Sequence, residues 1–122
     1  MNGGWIGVDL DGTLAYYDGW QGANHVGEPI LEMQARVLKW IAEGQRVRIF
    51  TARVSHDGSP KRVKDALEAL HAIQAWSEKH LGVALPVTCT KDYRMTELYD
   101  DRAVQVEMNT GRIIGKSTRG TS

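Results

Sequence analysis

Hydrophobic positions follow two different periods along the chain, and these periods separate strands from helices. A short apolar run at residues 5–8 predicts a buried first strand. Apolar positions three and four apart predict one helix over residues 29–44 and a second over residues 59–82. Each of these helices begins near a proline and ends at a glycine, as helix termini favour. Residues 46–50 alternate between apolar and polar, which predicts a second strand between the helices.

The remaining segments complete an α/β pattern. Residues 86–89 and 96–99 predict a third and a fourth strand. Residues 103–108 alternate before a turn at Asn109-Thr110-Gly111, which predicts a closing hairpin, with a one-turn helix after Asp101 as the alternative. Residues 14–28 have no clear period and predict a compact loop or small hairpin over the end of the first strand. The order β-α-β-α-β-β predicts a layered sheet with right-handed crossovers, as one domain over residues 1–115 with a frayed tail at 116–122.

Polar side chains follow the ends of all four predicted strands. Asp9 and Asp11 come first, then Thr51, then Lys91, and finally the pair Asp100-Asp101. Because parallel strands end at one edge of a sheet, we expect these side chains to converge. The carboxylates suit Mg²⁺, while the hydroxyl and the ammonium suit phosphoryl oxygens. The sequence therefore predicts a phosphoryl-transfer site.

Each member of this set also has a simpler interpretation when taken alone. Asp-x-Asp occurs in turns that cap backbone N–H groups, Thr51 suits a helix cap, and Lys91 suits a solvated surface. A calcium loop starting at Asp9 would need Gly at its sixth position and Glu at its twelfth, where the chain has Leu14 and Trp20. The ordered placement of the whole set at strand ends favours the phosphoryl-transfer interpretation, and calcium is excluded.

These residues resemble the motifs of the haloacid dehalogenase (HAD)-like phosphohydrolase superfamily. The run Asp9 to Thr13 is similar to the first motif, Thr51 to the second, Lys91 to the third and Asp100-Asp101 to the fourth. The run Asp100-Asp101-Arg102, with Val104 and Glu107-Met108, also resembles the phosphatase half of phage polynucleotide kinase-phosphatases. The resemblance implies a three-layer Rossmann-like, mostly parallel sheet. It further implies a Mg²⁺-dependent phosphatase that works through an aspartyl-phosphate.

The resemblance also implies a role for each position. Asp9 would be the nucleophile, and Asp11 would protonate the leaving oxygen and then activate water. Thr51 and Lys91 would bind the transferring group, with Lys91 also holding Asp9. The implied metal site comprises Asp9, Asp11, Asp100 and Asp101. Either member of the adjacent pair is a candidate direct ligand, and we favour Asp101.

Most members of the superfamily insert a cap domain, and this chain has no room for one. About fifteen residues separate Thr13 from Pro29, and almost none separate the third strand from Lys91. The resemblance thus implies a capless, open site that a bulky substrate or a second copy of the chain would close.

Four further residues are candidate substrate contacts. Gly12 and Thr13 belong to the first motif. Arg53 would either clamp a substrate phosphate or pair with an acid. Trp20 would either stack on a substrate base or pack its loop onto the body of the protein.

Composition and net charge limit the classes of function that the chain can have. The chain of 122 residues is 42% hydrophobic and 25% charged, with a net charge of zero, so it lacks the basic footprint of a non-specific nucleic-acid binder. One cysteine and the absence of an apolar leader predict a soluble cytoplasmic protein with no membrane partner. We expect a phosphomonoesterase acting on a small phosphorylated metabolite or nucleotide. The alternatives are a polynucleotide 3′-phosphatase, acting on a nucleic-acid end, and a non-catalytic phosphate-binding module.

Overall fold

Four parallel strands form one sheet in the order β3-β2-β1-β4. The structure is a computed structural model that describes residues 3–115, so the predicted frayed tail lies outside the described residues. The predicted α/β class with a parallel, Rossmann-like sheet is confirmed. The elements are β1 (Trp5–Asp9), α1 (Leu31–Ala42), β2 (Val47–Phe50), α2 (Pro60–Leu81), β3 (Val87–Thr88) and β4 (Met95–Tyr99), with a 3-10 turn at Ala52–Val54 after β2.

One face of the sheet carries the hydrophobic core. Ile6 pairs with Val47 and Val8 with Ile49, so these four side chains point the same way. All four are buried, in one cluster with side chains from both helices. The amphipathic faces predicted for the helices thus cover the same side of the sheet.

The opposite face is covered by residues 89–94, here called the crossing segment, which connects β3 to β4 across the sheet. Asp92 of this segment accepts a hydrogen bond from Trp5 Nε1 at 2.8 Å and pairs with Arg48 at 3.5 Å. The Arg48 guanidinium lies 4.5 Å from the Trp5 ring centroid. Residues 3–115 therefore form two layers where the sequence predicted three, because a helix on this face would need a longer connection than six residues.

Helix termini follow the sequence closely at α2 and less closely at α1. Pro60 starts α2, and Gly82 ends it in the left-handed conformation (φ 80°). α1 starts at Leu31 rather than Pro29, because Pro29 forms an antiparallel bridge with Ala15. None of the helices described in residues 3–115 has the length and apolarity needed to cross a membrane.

The predicted closing hairpin is reduced to one antiparallel bridge, Val106 to Ile113. Asn109 (φ 68°) and Gly111 (φ 81°) adopt the left-handed turn conformation there. The Glu107 N–H donates to the Arg112 carbonyl at 2.7 Å. The turn chemistry was thus predicted correctly, but regular strands do not extend from it.

The loop of residues 14–28 is closed at its base, as predicted for a compact loop. The Tyr16 N–H donates to the Glu28 carbonyl at 2.8 Å, and Trp76 Nε1 of α2 donates to the Gly27 carbonyl at 2.8 Å. A Cβ at Gly27 would collide with the Tyr16 carbonyl oxygen. Gly27 therefore serves close packing, whereas Gly19 has open space around it.

Candidate active site

All four strands end at one edge of the sheet, and the polar residues that follow three of them lie together there. Asp9 ends β1 and pairs with Phe50, the residue before Thr51. Val8 pairs with Tyr99, the residue before Asp100. The predicted convergence of these side chains is therefore confirmed for β1, β2 and β4.

Three carboxylates form the centre of this edge. Oxygen atoms of Asp9, Asp100 and Asp101 all lie within 4.8 Å of one another. Three carboxylate oxygens at this spacing could hold a metal ion. The group fits the predicted metal site in three of its four members, since the Asp11 carboxylate is not part of it. Both members of the Asp100-Asp101 pair offer an oxygen.

The crowding of these carboxylates changes the acidity of Asp9. Burial of the side chain, followed by the charge of Asp100 and a hydrogen bond with Asp101, raises the pKa of Asp9 to about 7. A hydrogen bond from Thr13 acts in the opposite direction. A cation among the three carboxylates would oppose the repulsion and favour the ionised form.

Thr13 and Gly12 hold Asp101 in place. Thr13 is buried, and its hydroxyl lies 3.1 Å from Asp101 Oδ1 and 3.4 Å from Asp9 Oδ2. The same hydroxyl oxygen accepts a hydrogen bond from the Asp101 N–H at 3.0 Å. A Cβ at Gly12 would lie 2.8 Å from Asp101 Oδ2, and Gly12 has a φ of 90°. Only glycine suits this position.

These contacts change the role expected for Gly12 and Thr13, which were predicted to bind substrate. The Gly12 N–H donates to the Ala15 carbonyl at 2.9 Å, and the Thr13 N–H donates to the Leu10 carbonyl at 3.3 Å. Both amides are therefore used inside the turn. Gly12 still lines the cavity described below, whereas Thr13 acts by positioning the carboxylates.

Arg53 pairs with Asp11, the second of the two interactions that the sequence left open for it. Its Nε and Nη2 donate to Asp11 Oδ2 and Oδ1, each at 2.8 Å, and its side chain is only 5% exposed. Nη1 donates to the His25 carbonyl at 2.6 Å, and the guanidinium lies 4.9 Å from the Trp20 ring centroid. One arginine thus joins the first motif to the loop of residues 14–28.

A cavity of about 480 Å³ lies over this edge of the sheet, within the range of ligand sites. Thr51 lines it, is buried, and accepts a hydrogen bond from the Arg53 N–H at 3.2 Å. That contact leaves the hydroxyl hydrogen of Thr51 for a ligand. The other lining residues are Asp9, Asp11, Gly12, Tyr17, Phe50, Ala52, Arg53, Asp100, Asp101 and Arg102.

Lys91 and Trp20 lie elsewhere. Lys91 is exposed on the crossing segment and does not line this cavity. Within the described residues no ion pair joins it to Asp9. Trp20 is 61% exposed and lines a neighbouring cavity instead. The predicted contact between Lys91 and Asp9 is thus not present in this conformation.

Two of the polar residues that line the cavity, Arg102 and Tyr17, were not among the residues predicted from the sequence. Arg102 follows the fourth motif directly, and its N–H donates to Asp100 Oδ1 at 2.8 Å. Tyr17 comes from the loop of residues 14–28. Arg102 could have been predicted, because a cationic residue directly follows the carboxylate pair. Nothing in the sequence distinguishes Tyr17 from Tyr16.

Comparison of the chain with protein-family models, with curated proteins and with solved structures finds no match to any of them. We therefore interpret the site from its geometry alone. It combines a carboxylate at a strand end, two further carboxylates, a buried hydroxyl and a fourth carboxylate held by an arginine.

Proposed function

We propose that the protein is a Mg²⁺-dependent phosphomonoesterase with a HAD-like, capless domain, and that Asp9 forms an aspartyl-phosphate. The observation that carries this proposal is the position of Asp9. It ends the first strand, within 4.8 Å of both later carboxylates, in a cavity that Thr51 also lines. Mg²⁺ held by Asp9, Asp100 and Asp101 would neutralise charge on the phosphoryl oxygens.

The first step is attack of a free Asp9 carboxylate oxygen on phosphorus. The bond from phosphorus to the leaving oxygen breaks, and that oxygen takes a proton from Asp11. Asp11 then accepts a proton from a water molecule, whose oxygen attacks the phosphorus of the intermediate. This second step releases inorganic phosphate and restores the Asp9 carboxylate.

The Arg53 contact sets a condition on this cycle. Both oxygens of Asp11 accept hydrogen bonds from Arg53, so a proton on Asp11 has to use a lone pair that Arg53 does not occupy. A substrate phosphate entering the cavity competes for the same guanidinium, since arginine binds phosphate and carboxylate in the same bidentate way. Substrate binding would thus free Asp11 for its acid role while the Thr51 hydroxyl donates to a phosphoryl oxygen.

The experiment is a screen for phosphate release with Mg²⁺ present. Nucleoside monophosphates, sugar phosphates and 3′-phosphorylated oligonucleotides are compared for wild type and Asp9→Asn. We expect release that requires both Mg²⁺ and Asp9. Binding of phosphate esters without turnover of any of them would favour a non-catalytic module instead.

A polynucleotide 3′-phosphatase is the second candidate, favoured by Arg102. Its cationic side chain lines the open cavity next to the carboxylates, where it would contact a phosphate adjacent to the reacting one. The neutral net charge favours the small substrate. A preference for 3′-phosphorylated oligonucleotides over mononucleotides that is lost in Arg102→Ala would make the polynucleotide 3′-phosphatase the favoured function.

A further inference from the structure

A second cavity adjoins the carboxylate cavity, with Ala52 and Arg53 lining both. It has a volume of about 260 Å³ and lies between the loop of residues 14–28 and the first half of α2. The loop contributes Trp20 and Ala23, and the helix contributes Ala66 and Ala69. The reaction proposed above uses no group of this cavity except Arg53.

The shape and chemistry of the lining favour a flat, largely apolar ligand. Four of its residues are alanines, which add no side-chain atoms beyond Cβ. Trp20 presents an indole that is 61% exposed, and the Arg53 guanidinium carbon lies 4.9 Å from its ring centroid. Aromatic and guanidinium planes are surfaces on which nucleobases stack.

Polar groups also line the same cavity. Arg62 and Asp65, on the first turns of α2, supply hydrogen-bond donors and an acceptor, and Ser55 supplies a hydroxyl. A nucleobase has a flat apolar face and an edge that carries both donors and acceptors. A sugar ring would instead place its hydroxyls against the alanines, where they would lack partners.

We propose that this second cavity binds the base of a nucleoside monophosphate whose phosphate lies in the carboxylate cavity. This inference rests on the proposed phosphatase function and names its substrate class. The shared wall at Ala52 and Arg53 lets one molecule occupy both cavities, with its ribose between them. The base would then supply the closure that a cap domain supplies in other phosphatases.

The test compares the 5′-monophosphates of adenosine, guanosine, cytidine and uridine with ribose 5-phosphate, which lacks only the base. We expect kcat/KM for at least one nucleotide to exceed that for ribose 5-phosphate by about tenfold or more. In Ala66→Leu, which fills the second cavity, this ratio should fall to near one while ribose 5-phosphate turnover is retained. Ala75→Leu, on an exposed position of α2 outside the cavity, is the matched control and should keep the ratio.

Two results would overturn the inference. One is equal kcat/KM for ribose 5-phosphate and all four nucleotides in the wild type. The other is an unchanged ratio in a folded Ala66→Leu protein, with Ala23→Leu filling the cavity from the loop side if Ala66→Leu does not fold.

Failure of the phosphatase proposal would give a different pattern, with no release of phosphate from any ester. Ligand-observed NMR with the four unphosphorylated nucleosides then decides the matter. Binding to wild type and Ala75→Leu but not to Ala66→Leu supports a base site, and no binding to the wild type overturns it.

Discussion

Arg53 donates a hydrogen bond of 2.8 Å to each carboxylate oxygen of Asp11, although the two residues lie 42 positions apart in the chain. The Arg53 side chain is 5% exposed and that of Asp11 is 23% exposed, so water screens this pair weakly. A third bond, to the His25 carbonyl, fixes the loop of residues 14–28 to the same guanidinium. Arg53 therefore holds both Asp11, the candidate acid, and the loop of residues 14–28.

Replacing Arg53 should cost stability as well as activity. Arg53→Ala leaves the Asp11 carboxylate without its partner, and we expect a loss of about 3 kcal/mol in the free energy of unfolding. Arg112→Ala is the matched control, because the Arg112–Glu107 pair has the same 2.8 Å contact but is 69% and 40% exposed. Because water surrounds both side chains of this pair, Arg112→Ala should cost much less stability than Arg53→Ala. Urea unfolding of both variants measures the difference, and equal losses would contradict the anchoring role.

Asp9→Asn should abolish turnover without harming the fold. The amide has nearly the same shape but is a poor nucleophile, so we expect kcat to fall at least about a thousandfold. Because burial and two neighbouring carboxylates oppose the Asp9 charge, the metal-free variant should melt no lower than wild type at pH 8. Activity within about tenfold of wild type, with deamidation excluded by mass spectrometry, would contradict the role of Asp9 as nucleophile.

Magnesium should stabilise the protein through the carboxylate cluster. At about 100 times its Kd, a ligand adds about 2.7 kcal/mol, which raises Tm by several degrees. We expect this rise in wild type and its loss in Asp101→Asn, with Asp65→Asn on α2 as the control. EDTA should remove phosphatase activity and Mg²⁺ should restore it. Restoration by zinc alone would be inconsistent with an all-oxygen site.

Comparing Asp100→Asn with Asp101→Asn identifies the direct ligand of the pair. Asp101 is positioned by the Thr13 hydroxyl, whereas Asp100 Oδ1 already accepts the Arg102 N–H. We therefore expect the Mg²⁺-dependent rise in Tm to be weaker in Asp101→Asn than in Asp100→Asn. The opposite order would assign the metal to Asp100.

Lys91→Ala tests whether Lys91 acts in catalysis or is only a solvated surface residue. Since Lys91 is exposed, its loss should leave Tm unchanged. If it stabilises the transferring phosphoryl group during turnover, kcat should fall by about 10²-fold or more. Lys64→Ala, at an exposed position on α2, is the control and should change neither quantity. Normal kcat in Lys91→Ala would remove Lys91 from the site.

The crossing segment should give stability a pH dependence. The hydrogen bonds from Trp5 Nε1 and from the Arg94 N–H lower the pKa of Asp92 in the folded state. This contribution is therefore complete above the unfolded pKa of about 3.9 and is lost as the pH falls through the lowered folded value. At pH 7, Asp92→Asn should melt below wild type, and the gap should close in strong acid. Glu68→Gln, at an exposed position of α2, is the control. A difference in Tm between Asp92→Asn and wild type that does not change with pH would contradict this assignment.

The sequence predicted what local patterns determine and missed what depends on the assembled chain. Pro60 and Gly82 bound α2 because proline and glycine act on their own backbone. Asp9 and Asp101 converge because every parallel strand ends at the same edge. The choice of Arg53 between a phosphate and Asp11 depends on side-chain distances across 42 positions, which no pattern encodes. The predicted third layer is absent from residues 3–115 because the six residues between β3 and β4 are too few to cross the sheet and also form a helix.

The span from β3 to β4 leaves the crossing segment spare length for little more than one turn, which the Met95 N–H closes onto the Asp92 carbonyl at 3.1 Å. Thr88 lies level with Asp9, Met95 lies level with Trp5, and β3 and β4 stand three strand positions apart. The straight path is thus about 19 Å, while seven extended steps reach only about 23–25 Å. Deleting two residues would leave the chain too short for this topology, whereas added residues would be accommodated. With so little slack in its backbone, Lys91 can approach Asp9 mainly by rotating its own side chain.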